Sequence, residues 1–168
     1  MKLPRERTKG QVQWMLGMAL GVLGICGASC TGPKQYLKGE GSPILSYSKS
    51  MCFGPCPAFT LEVESDGTAR FNGRAHIEPK GPHTGKWSTA DLEALAEIAH
   101  SSQLRHKAGT YDNPLIMDLP STRLTMGPYH VLDRINGPDL SVLYYSLDSL
   151  IRVTTWTPEV ASSGKERR

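Results

Sequence analysis

The residues best suited to chemistry are Cys52 and Cys56, separated by Phe53, Gly54 and Pro55, and five histidines at positions 76, 83, 100, 106 and 130. As thiols, the two cysteines could work as a redox pair, one attacking and the other resolving. Centres of that kind place two residues between the cysteines at a helix N-terminus, which lowers the attacking thiol's pKa. Here three residues intervene and a strand-like run follows. A zinc site would need two further ligands, and the histidines show neither close pairing nor a motif, so no metal and no cofactor is expected. A closed disulfide is the third fate. Gly54 and Pro55 favour the tight turn that brings two Cα atoms within roughly 4.4 to 6.8 Å. A bridge across so short a loop removes little chain entropy and shapes a turn more than it stabilises the fold.

Other reaction classes lack their usual residues. There is no Gly-x-Ser-x-Gly elbow, no His-Glu-x-x-His and no glycine-rich phosphate loop, and no catalytic residue is assigned. Tyr111 and Asp118 stand out as possible ligand or partner contacts because they lie in the long polar stretch from Arg105 to Pro120, which reads as a loop. Asp118, before Leu119 and Pro120, reads equally well as a turn residue.

These residues are positioned by recognisable elements. Phe59, Leu61 and Val63 alternate with polar residues, the period of a strand with one buried face. Asp66-Gly67 then signals a hairpin into Thr68 to Asn72, and Ile44 to Ser48 reads as a neighbouring strand. Ser88 and Asp91 resemble a capping box, and Leu92, Leu95, Ala96, Ile98 and Ala99 continue as a helical stripe, predicting a helix over Thr89 to Ser102. Thr122 to Met126 and Tyr129 to Ile135 read as a second hairpin across Gly127-Pro128. Leu140, Leu143, Tyr144, Leu147, Leu150 and Ile151 mark a second helix. The expected fold is α+β, a single domain with a small antiparallel sheet and two helices packed on one face.

The N-terminal region carries an address. Lys2, Arg5, Arg7 and Lys9 precede an uncharged run from Gln11 to Ser29, the pattern of an export signal. Crossing a bilayer takes about 20 predominantly apolar residues, and the apolar stretch from Trp14 to Ile25 is shorter and contains three glycines. Gly27, Ala28 and Ser29 are small and precede Cys30, and here the chain resembles bacterial lipoprotein precursors. Gly27 stands where that family has an aliphatic residue. The resemblance implies cleavage before Cys30 and lipidation of its thiol, and Thr31 in place of an aspartate implies the outer membrane, with the domain facing the periplasm or the cell surface. Export to an oxidising compartment favours the disulfide for Cys52 and Cys56.

Cleavage would remove four of 19 basic and one of 16 acidic residues, leaving 15 of each. A neutral mature chain argues against nucleic acid as a partner. The expected organisation is a signal over 1–29, a flexible tether over 30–42, the α+β domain over 43–157 and a disordered tail over 158–168.

The run Cys52-Phe53-Gly54-Pro55-Cys56-Pro57-Ala58-Phe59 with Asp66-Gly67, then Trp87 before the helix, Tyr111 and Asp118-Leu119-Pro120-Ser121, resembles a family of uncharacterised bacterial lipoproteins sharing a domain of unknown function (family 6438). The likeness extends from Pro43 to Ile151 and implies location and domain identity, not an activity. The functional expectation is a membrane-anchored lipoprotein of the cell envelope whose domain binds or buttresses an envelope protein or the cell wall without catalysis. The alternative is thiol-disulfide redox or small-ligand binding centred on Cys52 to Cys56 and the Tyr111 to Ser121 loop.

Overall fold

Alternation of apolar and polar residues lays down the centre of the sheet. In the computed structural model, which describes residues 32–38, 43–116 and 119–159, the strands are β1 (Leu45–Lys49), β2 (Ala58–Val63), β3 (Thr68–Ala75), β4 (Gly81–Lys86), β5 (Gly109–Tyr111), β6 (Thr122–Met126), β7 (Tyr129–Asp133) and β8 (Thr157–Pro158). The helices are α1 (Thr89–Ser101), α2 (Leu104–Lys107) and α3 (Ser141–Val153), with a short 3-10 helix, η1, over Pro33–Leu37. All eight strands form one sheet in the order β5-β7-β6-β1-β2-β3-β4-β8. The expectation of a small antiparallel sheet with two helices on one face is therefore corrected, among the described residues, to an eight-stranded mixed sheet with three α-helices.

Each discrepancy has a local cause. β4 reads Gly-Pro-His-Thr-Gly-Lys, with two glycines and a proline and none of the apolar alternation that marks a strand. It is nevertheless a strand, because it pairs with β3 from Thr68 opposite Lys86 to Gly73 opposite Gly81, and glycine at 85 makes room for its neighbours. A Cβ there would lie 2.7 Å from Thr154 Cγ2 and 2.9 Å from Trp156 Cε3. β5 is only three residues long and pairs parallel to β7, Gly109 opposite Val131 and Tyr111 opposite Asp133. The two run the same way because the chain reverses direction twice between them, once before β6 and again at the β6–β7 turn. Pro158, placed by sequence in the tail, pairs with His83 in β8.

The buried residues of the strands recur every second position, among them Leu45, Tyr47, Leu61, Val63, Phe71, Leu124, Met126 and Val131. They share one core with Leu92, Leu95, Ala96 and Ala99 of α1 and Leu143, Leu147 and Ile151 of α3. Helix α1 begins at the expected capping box: Asp91 N–H donates to Ser88 Oγ at 3.1 Å, and Ser88 N–H donates to Asp91 Oδ2 at 2.8 Å. The β2–β3 hairpin turns at Asp66-Gly67, where the Asp66 carboxylate accepts the Thr68 N–H and hydroxyl, both at 2.8 Å.

The segment expected as a free tether is partly built into the domain. Tyr36 of η1 is 1% exposed. Its ring meets Tyr129 at 5.1 Å, and Tyr129 OH donates to Gln35 Oε1 at 2.7 Å. The turn between β6 and β7 fits under η1 only because residue 127 is glycine. Its φ is +56°, and a Cβ would sit 2.7 Å from the Gln35 carbonyl oxygen. The expected signal over 1–29, Cys30, Asp118 and residues 160–168 lie outside the described residues.

Truncation of a fully buried aromatic costs about 3 kcal/mol, so Tyr36→Ala should lower stability by that order in urea unfolding. A loss near zero would mean that η1 is not part of the cooperative unit. The Asp66 carboxyl is held down to about 2 by the Thr68 N–H first, then by the Thr68 hydroxyl and Lys86. A depressed folded pKa stabilises above the unfolded value and is lost as pH falls. NMR titration should therefore place the Asp66 midpoint near 2, and Asp66→Ala should flatten the acid limb of the stability curve between the ordinary carboxyl pKa and that value. A midpoint at the ordinary value would remove the turn's carboxylate from the account.

Candidate functional site

Cys52 and Cys56 are joined in a disulfide with Cα atoms 5.7 Å apart. The bond closes a turn between β1 and β2, with neither cysteine at a helix N-terminus, and Gly54 N–H donates to Cys52 Sγ at 3.2 Å. The turn holds its apolar residues out to solvent, Met51 at 67% exposure and Phe53 at 92%. Among the described residues no three His, Cys, Asp or Glu side chains are placed to hold a metal ion.

Tyr111 ends β5 and is occupied structurally. Its hydroxyl donates to the Lys107 carbonyl at 3.0 Å, and its own carbonyl accepts the N–H groups of Arg134 and Ile135. The loop that follows exposes Leu115, Ile116 and Leu119. This loop and the cysteine turn meet at their bases through Ser50 and Ser121. Ser50 N–H donates to the Ser121 carbonyl at 2.9 Å, Ser121 N–H donates to Ser50 Oγ at 2.7 Å, and the two hydroxyls lie 3.2 Å apart. The structure thus unites the two loops singled out by sequence, although Tyr111 itself turns back toward α2.

Beneath the loops runs a row of polar residues that sequence reading missed. Thr122 is opposite Lys49 on one side and Asp133 on the other. All three continue the alternation of the buried Tyr47, Leu124 and Val131, so they occupy the last inward position of three adjacent strands. Helix α3 adds Tyr144 and Asp148, one turn apart. Lys49 Nζ pairs with Asp148 Oδ2 at 2.6 Å, and Tyr47 OH donates to Asp148 Oδ1 at 3.0 Å. The Tyr47 and Tyr144 rings stack at 6.0 Å. The only sequence signal was the Tyr144/Asp148 spacing, which a helix places on one face.

Electrostatics keeps this row quiet at neutral pH. Burial, reinforced by the Asp148 charge, pushes the Tyr47 phenol well above its ordinary value. Burial and the Asp133 charge do the same to Tyr144, whose buried hydroxyl has no hydrogen-bond partner among the described residues. Both phenols stay protonated, and the Lys49 ammonium is engaged by Asp148. Burial also raises the Asp133 carboxyl. The adjoining cleft, lined by Pro57, Phe59, His76, Ile77 and Arg152, has a volume of about 230 Å³, below the roughly 300 Å³ at which pockets for drug-sized ligands begin.

A mixed sheet whose disulfide-closed turn and neighbouring loop present apolar side chains above a polar row defines a small domain with exposed apolar loops. Residues 43–136, more than half of the chain, match the family described as Domain of unknown function (DUF6438), and the chain belongs to that family. No curated protein matches the chain.

Because the Asp133 carboxyl holds its proton more tightly folded than unfolded, its contribution to stability is largest at low pH and declines as pH rises through its raised folded value. Asp133→Asn should remove that decline, giving a higher urea midpoint than the parent at neutral pH and a similar one in acid. An unchanged midpoint at both would show that this carboxyl carries no burial penalty.

Proposed function

We propose that the chain is an exported lipoprotein, anchored to the outer membrane through lipid on Cys30, whose domain binds an envelope protein through its paired loops without catalysing a reaction. Support for the address is the basic, then apolar, then small-residue order ending at Cys30, with Thr31 where an inner-membrane protein would carry an aspartate. A single acyl chain binds a membrane only marginally, whereas more than one gives stable anchoring. The multiply acylated cysteine implied by the lipoprotein resemblance meets that need.

One observation carries the binding reading: Met51 and Phe53 on the disulfide turn stand beside the loop bearing Leu115, Ile116 and Leu119, all exposed, on loops joined at Ser50 and Ser121. Clustered exposed apolar side chains mark interaction sites. The disulfide holds its turn in shape before binding, which lowers the ordering cost of association. Two of the nearby charges are spent internally, Lys49 on Asp148 and Arg134 on Asp112 at 3.4 Å, while Arg123 of β6 is exposed. An apolar protein surface therefore suits these loops better than a charged polymer.

Two measurements test this. The intact mass of protein recovered from its native membrane should correspond to a chain beginning at Cys30 with added acyl mass, and a soluble, unacylated chain would refute the anchor. Photo-crosslinkers replacing Phe53 and Leu115 should give adducts of one common mass in intact cells, with none from a crosslinker at the outward-facing Glu62. Equal labelling from all three positions, or no adduct from either loop, would refute the loop surface.

A further inference from the structure

We infer that the lipid holds the domain with its η1 end against the bilayer, leaving the two apolar loops directed away from the membrane that anchors it. The inference rests on the reading of Cys30 as the lipidated residue and adds to it an orientation.

A free spacer from Cys30 to Pro43 would span up to about 45 Å when extended and would leave the domain unoriented. The chain is not free over that length. η1 is fastened by the buried Tyr36, by the Tyr129 to Gln35 hydrogen bond and by the fit of its carbonyls over Gly127. Between Cys30 and Pro33 stand only Thr31 and Gly32, and a fully extended chain covers that interval in about 11 Å. The bilayer must therefore lie close to η1.

The position of η1 along the sheet then sets what faces outward. Gly127 connects β6 to β7 at the end where β1 begins, since Leu45 is opposite Met126. The apolar loops leave from the other end, where Lys49 is opposite Thr122. The rise of β1 alone separates the two ends by about 13 Å, before the loops add their own height. Around η1 the exposed charges are Lys34 and Lys38, Glu93 and Glu97 of α1, and Arg105, which lines one cleft with Gln35 and Tyr36. They leave one positive charge in excess, so tether length more than attraction to anionic lipid sets the orientation. The occupant of the loops is accordingly a partner approaching from the compartment and not the anchoring bilayer.

The test uses acylated protein in phosphatidylcholine vesicles containing a headgroup-attached quencher, with a fluorophore placed through Lys34→Cys or Leu115→Cys, both exposed positions. Quenching should be several-fold stronger at position 34 than at 115. Insertion of a Gly-Ser segment of about 12 residues between Thr31 and Gly32 should bring the two values together, because a flexible linker removes the orienting restraint. Equal quenching without the insertion, or stronger quenching at 115, in protein that carries acyl mass and floats with vesicles would overturn the orientation and leave the anchor standing. A difference that survives the insertion would overturn the short tether as its cause. Protein without acyl mass that fails to float would overturn the anchor, and the orientation with it.

Discussion

The pairing of β1 with two partners distant in sequence is the constraint on which the rest of the structure depends. Leu45 through Lys49 matches Val63 through Phe59 on one side and Met126 through Thr122 on the other. Because both pairings are antiparallel and in register over the same five residues, the segment leaving β1 and the segment entering β6 must start side by side. The Ser50 and Ser121 hydrogen bonds are the direct result, and they set the cysteine turn next to the second loop. The same register aligns Lys49, Thr122 and Asp133 across three strands. A slip of one residue would move Tyr47 and Lys49 to the opposite face and dissolve both features together.

Helix α3 completes what the sheet begins. Its Leu143, Leu147 and Ile151 are buried in the core, and that packing delivers Asp148 to Lys49 and Tyr144 to the neighbourhood of Asp133. The family match ends at residue 136, so the helix whose Asp148 pairs with Lys49 lies beyond the matched segment. Burial and neighbouring negative charge both keep the tyrosine hydroxyls protonated, and the one ammonium in the row is paired. Beyond that row, the loops at this end of the sheet expose Met51, Phe53, Leu115, Ile116 and Leu119.

The parts of the fold legible from sequence were those with strong local periodicity or a turn signature: the β2–β3 hairpin at Asp66-Gly67, the capped helix α1, the hairpin at Gly127-Pro128 and the apolar face of α3. β4, β5 and β8 were not legible. Their residues carry little intrinsic preference for strand, and they are strands because longer neighbours offer them hydrogen bonds, while glycine at 85 makes room for Trp156. The tether failed for a similar reason. Pro33 to Leu37 is too short to show any periodicity, and only the pocket formed by Tyr129, His100 and Gly127 gives Tyr36 somewhere to go.

For the site, sequence alone determined the cysteine turn, since two cysteines so close around Gly54 and Pro55 can approach one another with no help from distant residues. The order of basic, apolar and small residues ending at Cys30, on which the proposed export rests, is likewise read along a linear chain. Only the tertiary structure decided that the turn stands beside the loop before β6, that Lys49 spends its charge on Asp148, and that the chain enters the domain at the end opposite those loops. Each of these joins residues far apart in sequence, and such contacts follow from strand register and helix packing, which no local run of residues encodes.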